Sequence, residues 1–314
     1  MKNIHQEDIQ IISRNGNLTD QGVDRVLKQN IYNGKESWQK FFQLFIINLG
    51  VGFTVAGIVF FFAYNWADLH KFVKIGLTQG ILIATTILAI SPSINENIRN
   101  VILTGASIFV GVLFAVFGQI YQTGANAYDF FLAWTVFVTI WVIVSRFFPL
   151  WIIYLVLINT TFILYSQQVA KDWSEVFICF FLFIINVVVL ISTLYLGKKK
   201  IPNWFSNTVA LACSTYATIG IVIGIFDKYQ STFAILTLLT SILYALGIWH
   251  GLKSKTGFYL SVIPFSLIII LSALLIKISD GEIMFLVVSL FIIGSVTLTI
   301  KNLIDIQKKW ANEK

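Results

Sequence analysis

Long hydrophobic runs, separated by short polar segments, recur along the chain from Phe41 onward. Each run has about 18 or more residues, which is enough for an α-helix to cross the hydrocarbon core of a bilayer. A transmembrane β-strand would instead alternate apolar and polar residues over about ten positions. The pattern therefore predicts an all-α fold, a polytopic membrane helical bundle with about ten transmembrane helices.

The segments between the runs contain residues that end or begin helices. Pro92 follows the second run, and Pro149 stands at the start of the fifth, where proline is tolerated in a helix. We expect spans one to five to form a first membrane bundle (41–166), spans six to ten a second (174–301), and residues 302–314 a cytoplasmic tail. The predicted spans are residues 41–64, 70–91, 100–121, 127–145, 149–166, 174–196, 204–226, 231–250, 256–276 and 281–301.

Residues 1–40 are predicted to form a short amphipathic helical segment on the cytoplasmic side. Thr19 and Asp20 favour a helix start, and Val23, Leu27 and Ile31 follow along one face. Two interpretations stay open. The segment is either a helical hairpin packed on the inner membrane surface or on the helical bundle, or a docking site for a protein partner.

Composition and charge support a membrane location and predict an orientation. Of the 314 residues, 57% are hydrophobic and 12% are charged, whereas soluble domains have about 25% charged residues. If the N-terminus is inside, 17 of the 22 Lys and Arg residues lie on the inner side and 5 on the outer side. This positive-inside bias predicts that both termini are cytoplasmic. The net charge of +7 lies beside the spans, so it indicates topology and not nucleic-acid binding.

The stretch GQIYQTGANAYDFFLAWT (118–135) is unusually polar for this chain. In the predicted threading it lies on the outer side, where the ends of the first four spans meet. Gln119 and Gln122 are three residues apart and are expected to share one helix face. The alternatives to a ligand site are an interfacial belt and a structural clamp through Lys74 and Asp129. The candidate ligand-binding residues are Asn65, Trp66, Lys74, Gln119, Tyr121, Gln122, Asn126, Tyr128 and Asp129.

The centres of the predicted spans contain no acidic or basic residue, which weighs against an ion-coupled pump. Asn48, Asn159 and Asn186 are expected to form hydrogen bonds between helices. Cys179 and Cys213 are expected to be small packing residues. The sequence has no catalytic, metal-binding or cofactor-binding motif, so we expect no enzyme activity, no metal and no cofactor.

Small residues recur at helical spacing in several spans, and such strips let helix backbones approach closely. We therefore expect each strip to face another helix at short range. The main pairs are Gly76 and Gly80 in the second span, Gly111 and Gly118 in the third, and Gly220 and Gly224 in the seventh.

Three stretches are similar to a known family. They are GVGFTVAGIVFFFAYNW (50–66), KIGLTQGILIATTILAI (74–90) and GQIYQTGANAYDFFLAW (118–134). They resemble the domain-of-unknown-function 2157 family of predicted bacterial membrane proteins, and the likeness extends over about residues 10–165. The resemblance implies a bacterial inner-membrane location and a cytoplasmic helical segment before the first span. It implies no activity.

Two classes of function fit these observations. The first is a small-molecule transporter, channel or receptor with an outward-facing polar site. The second is a non-enzymatic scaffold or regulator that acts through a protein partner at its cytoplasmic N-terminus. Both place the chain in a lipid bilayer, and neither involves nucleic acid.

Overall fold

The computed structural model describes residues 35–64, 69–122, 124–196, 201–227, 231–278 and 283–312. These residues form helices and no strand, and ten of the helices are long and apolar enough to cross a membrane. The predicted all-α, multi-pass membrane fold is therefore confirmed. The helices are α1 (Lys35–Tyr64), α2 (Lys71–Ile90), α3 (Glu96–Tyr121), α4 (Ala127–Ser145), α5 (Phe148–Gln168), α6 (Glu175–Leu196), α7 (Asn203–Phe226), α8 (Ser231–Lys253), α9 (Gly257–Ile278) and α10 (Ile283–Asn312).

The first and last helices are longer than their predicted spans. α1 begins at Lys35 and α10 continues to Asn312, through most of the segment that the sequence analysis assigned to a tail. Each has 30 residues, or about 45 Å at 1.5 Å per residue. Both therefore exceed the thickness of the hydrocarbon core. The predicted helical hairpin before α1 lies outside the described residues.

The chain divides into two compact units, Met1–Thr123 and Gly124–Lys314. The first contains α1 to α3, and the second contains α4 to α10. α4 and α5 are thus grouped with the later helices, whereas the sequence analysis grouped the spans in two sets of five.

In the first unit α3 packs against both α1 and α2. Ala106, Phe109 and Val110 of α3 are almost fully buried, so this helix provides the core of the unit. Asn95 begins α3 as an N-cap, because its side chain accepts a hydrogen bond from the backbone N–H of Asn97 at 3.0 Å.

In the second unit α7 is the central helix and contacts α5, α6, α8 and α9. Val209, Cys213 and Ala217 of α7 are buried in the core, together with Phe183 of α6 and Leu236 of α8. The predicted packing role of the cysteines fits this placement, since Cys179 and Cys213 are both buried and unoxidised. α7 therefore holds together the helices that form the cavities described below.

α7 and α9 run parallel and are joined at their C-terminal ends. The Nζ of Lys277 in α9 donates a hydrogen bond to the backbone oxygen of Ile225 in α7. The last carbonyls of a helix have no partner within the helix, so this bond satisfies one of them. It also places a positive charge at the negative end of the α7 dipole.

The glycine strips differ from one another in what they contact. A β-carbon at Gly220 would lie 2.7 Å from the Cβ of Cys179 and from Cδ2 of Leu236, and one at Gly224 would lie still closer to the ring of Phe233. The expected close packing is therefore confirmed in α7. It is wrong for Gly118 and for the Gly76–Gly80 pair, where no atom of the described residues lies within 4 Å of an added β-carbon. Spacing shows which residues share a face, but not which face a second helix covers.

The three asparagines that were expected to bond between helices also divide into two groups. Nδ2 of Asn186 in α6 lies 3.0 Å from Oδ1 of Asn159 in α5, which confirms the predicted bond between helices. The same prediction is wrong for Asn48. Its Nδ2 donates to the carbonyl of Leu44 at 2.7 Å within α1, because an amide on an exposed face can satisfy itself on the preceding turn.

Candidate functional site

The residues of the predicted outer polar site are divided between the two units. Asn65 and Trp66 lie outside the described residues. In the first unit Lys74 is half-buried in the first turn of α2, and Gln119 and Tyr121 are exposed near the end of α3. The ring of Tyr121 lies 4.5 Å from that of Phe117, measured between centroids.

Gln122 does not continue the face of Gln119, so the prediction that they share one helix face is wrong. α3 ends at Tyr121, and Gln122 is its C-cap with φ of 42° in the left-handed region. The N–H of Gln122 donates to the carbonyl of Gly118 at 3.0 Å. Such a left-handed cap provides a hydrogen-bond donor for one of the last carbonyls of the helix. It also points the side chain of Gln122 in a different direction from that of a helical residue at this position.

In the second unit the polar residues organise the start of α4. The backbone N–H of Asn126 donates to Oδ2 of Asp129 at 3.0 Å, which is half of a capping box. The backbone N–H of Tyr128 donates to Oε1 of Gln168 at 3.0 Å and thereby ties α4 to the end of α5. The ring of Tyr128 also lies edge-on to Tyr165, with centroids 5.3 Å apart. These contacts are structural, and a ligand at the outer polar site stays a prediction.

A cavity of about 560 Å³ lies in the second unit between α7 and α9. Its volume falls within the range of about 300–1,000 Å³ that is usual for small-molecule sites. The wall is mainly aliphatic and aromatic, with five hydroxyl-bearing side chains. The lining residues are Leu211, Ser214, Thr215, Thr218, Ile219, Val222, Ile223, Ser261, Val262, Phe265, Ser266 and Ile269.

A chain of hydroxyl groups from three helices lies along one side of this cavity, and three of its four members belong to the lining. Oγ of Ser214 lies 2.9 Å from Oη of Tyr244, which lies 2.5 Å from Oγ of Ser266. Oγ of Ser266 lies in turn 2.5 Å from Oγ1 of Thr218. All four side chains are buried. A polar network buried among apolar side chains stays intact only when its members satisfy one another.

Local helix geometry explains how these hydroxyls meet. Ser214 and Thr218 are four residues apart on α7 and therefore share one face. α9 brings Ser266 to that face, and α8 brings Tyr244 behind it. Ser214 lies about 17 Å from the first residue of α7 at 1.5 Å per residue. The network thus lies near the middle of the membrane-spanning length.

The sequence analysis did not identify this network. The signal in the sequence was the row of Ser214, Thr215 and Thr218 in one span. Most Ser and Thr residues in helices bond to the carbonyl one turn back, and Thr215 does so, to Leu211 at 2.9 Å. Spacing alone therefore does not show which of these hydroxyls also contact hydroxyls of other helices.

A second, smaller cavity of about 150 Å³ surrounds the Asn159–Asn186 pair. Asn186 uses its Nδ2 for both the carboxamide of Asn159 and the carbonyl of Leu182, which lies 2.8 Å away. Each amide therefore already has a partner from the protein. This arrangement is typical of a bond that fixes two helices, and the cavity is smaller than those that hold drug-sized ligands.

The part of the chain that the structure describes contains no group of three or more His, Cys, Asp or Glu side chains that could hold a metal ion. The larger cavity likewise has a lining of hydroxyls and apolar groups without an ionisable side chain. Its chemistry is hydrogen bonding and apolar contact.

Comparison with known proteins finds one family. Residues 13–151 match the family described as Predicted membrane protein (DUF2157). The match covers α1 to α4 and a little under half of the chain, and it confirms the resemblance seen in the sequence. No curated protein and no solved structure matches. The larger cavity lies beyond the matched residues.

Proposed function

We propose that this multi-pass membrane protein is a receptor or carrier that binds a small, largely apolar molecule in the cavity between α7 and α9. The observation that carries the proposal is the buried hydroxyl chain in the wall of a cavity of about 560 Å³. Ligand sites typically combine an apolar lining with a few convergent polar groups. This cavity has both, within one unit of the protein.

The position of the cavity suggests how a ligand reaches it. Leu211, Ile219 and Ile269 line the cavity and are also among the exposed hydrophobic side chains. Exposed apolar side chains in membrane-spanning helices are compatible with lipid contact. A ligand that dissolves in the bilayer would therefore enter sideways from the hydrocarbon.

We propose binding and not catalysis as the role of the hydroxyl chain. A serine or threonine nucleophile requires an adjacent base or a lowered pKa. The lining residues of the cavity include no His, Lys, Asp or Glu. The hydroxyls can orient a ligand, but they lack the partner that would activate one of them.

We also propose a bacterial inner-membrane location with both termini in the cytoplasm. The support is the distribution of Lys and Arg, 17 inside and 5 outside in the predicted threading. In that orientation the outer polar residues of each unit, Lys74 in the first and Asp129 in the second among them, would face the periplasm as candidate ligand-binding residues. The alternative of a scaffold acting through residues 1–34 concerns a segment outside the described residues.

Photolabelling tests the binding proposal. The full-length protein in detergent is irradiated with a hexadecane that carries a diazirine, digested, and analysed by mass spectrometry. We expect labels to concentrate in the segments of α7 and α9 that line the cavity. An excess of unlabelled hexadecane, present during irradiation, should prevent this labelling.

A matched pair of variants completes this experiment. Thr215 is exposed at the cavity, so Thr215→Phe should fill the space and suppress the label. Ser241 is exposed on α8 and does not line the cavity, so Ser241→Phe should leave the label unchanged. Labels spread along α1 and α10, without competition, would contradict a site between α7 and α9.

A further inference from the structure

The direction of each hydrogen bond in the hydroxyl chain follows from counting protons. Thr218 donates its one hydroxyl proton to the backbone oxygen of Ser214 at 2.6 Å, since a carbonyl can only accept. Ser266 must therefore donate to Thr218. Tyr244 must then donate to Ser266, and Ser214 must donate to Tyr244. The chain runs in one direction from Ser214 to Thr218.

The two other hydroxyls that line the cavity also donate their protons to groups within the protein. Thr215 donates to the carbonyl of Leu211 at 2.9 Å, and Ser261 donates to that of Gly257 at 2.8 Å. All five hydroxyl protons in the lining are thus donated within the protein. What these groups present to an occupant is oxygen lone pairs.

We infer that the cavity selects an occupant that donates a hydrogen bond, namely a lipid-soluble alcohol with an apolar body. This inference rests on the proposed function and specifies its ligand. A ketone, an ether or an ester carries only acceptors, and an acceptor that meets an acceptor-only wall stays unsatisfied when buried. An alcohol can donate its hydroxyl proton to one of these oxygens, and its hydrocarbon chain is buried among the apolar lining residues.

Among the four members of the hydroxyl chain, Ser214 is the acceptor that we assign to the alcohol. Its Oγ stands at the head of the chain and receives no hydrogen bond from the residues that the structure describes. Tyr244, Ser266 and Thr218 each already accept one. A donor to Ser214 would extend the chain in its existing direction, and hydrogen bonds in such a series strengthen one another.

Competition between matched ligands tests this selectivity. Tritiated hexadecanol is bound to the full-length protein in detergent and displaced with unlabelled hexadecanol, hexadecyl methyl ether or hexadecane. We expect hexadecanol to displace the label at a concentration about three- to tenfold lower than the ether, as one neutral hydrogen bond would provide. Hexadecane should resemble the ether.

Variants assign the effect to Ser214. Ser214→Ala should remove the preference for the alcohol, and Ser214→Thr, which keeps a hydroxyl, should retain it. Ser241→Ala is the control, because Ser241 on α8 also donates to a helix carbonyl, that of Thr237 at 2.8 Å, but lies outside the cavity.

The outcomes separate this inference from the proposed function. If hexadecanol and the ether displace tritiated hexadecanol equally well from the wild type, the inferred selectivity for an alcohol is overturned, but the proposed binding site is not. A preference that survives in Ser214→Ala would overturn the assignment to Ser214. No saturable binding of hexadecanol, together with no competed photolabel from the diazirine-bearing hexadecane, would overturn both.

Discussion

Asn186 of α6 and Asn159 of α5 join their side-chain amides inside the membrane-spanning region, with Nδ2 of Asn186 3.0 Å from Oδ1 of Asn159. Both residues are buried. The smaller cavity beside them places them against α7, the central helix of the second unit. This pair is thus a direct link between α5 and α6, and α6 in turn packs against α7, which lines the larger cavity.

A double-mutant cycle should detect this link. Asn159→Leu or Asn186→Leu alone should reduce the free energy of unfolding by roughly 1–2 kcal/mol, because each leaves one amide without its partner. The double variant should cost less than the sum of the two, since no amide is then left over. Unfolding followed by circular dichroism in detergent measures the coupling, and strict additivity would exclude the pair as a stabilising contact.

Two glycines provide a matched test of helix packing. Gly220→Ala should destabilise the protein by about 1–3 kcal/mol, because the new β-carbon would lie 2.7 Å from Cys179 and Leu236. Gly118→Ala should be neutral or slightly stabilising, since the space there is open and alanine favours helix by about 0.5–1 kcal/mol. Melting temperatures in one detergent compare them. Equal effects of the two substitutions would refute the packing assigned to α7.

The start of α4 distinguishes a structural role of Asp129 from a ligand-binding one. Asp129→Ala should cost about 1 kcal/mol, because it removes the acceptor that caps the N–H of Asn126. Asp129→Asn keeps an oxygen acceptor and should fold like the wild type. Growth of cells that depend on the protein is then the informative assay. Normal folding with lost function in Asp129→Asn would favour the outer ligand site over a cap.

The proposed orientation can be measured by cysteine labelling. An Ala125→Cys variant should react with a membrane-impermeant maleimide added to the periplasmic side, whereas Lys199→Cys should react only after the membrane is opened. The wild type serves as the blank, because Cys179 and Cys213 are both buried. The reverse pattern would invert the threading that the charge bias predicts.

The spans were predictable because membrane thickness dictates their length. A run of about 20 apolar residues has few alternatives to a helix in hydrocarbon, so α2 to α9 begin and end within a few residues of the predicted limits. That Asn159 and Asn186 each form a hydrogen bond to another helix was also predictable, since buried amides need partners, but that they bond each other was not. α10 continues past its apolar run to Asn312, because a helix does not have to end where the membrane does.

The larger cavity was not predictable from the sequence for a physical reason. Tyr244 and Ser266 are far from Ser214 along the chain, and only the packing of α8 and α9 on α7 brings their hydroxyls together. Gln122 shows a related limit at shorter range. Its spacing from Gln119 fits one helix face, but a left-handed cap at the end of α3 breaks that face.

A binding isotherm for tritiated hexadecanol tests the central claim most directly. The full-length protein in lipid nanodiscs is titrated, with empty nanodiscs as the background. The account predicts saturable binding of one molecule per chain in the wild type and in Ser241→Phe, and its loss in Thr215→Phe. Binding that rises linearly without saturation, or that is unchanged when Thr215→Phe fills the cavity, would contradict a ligand site between α7 and α9.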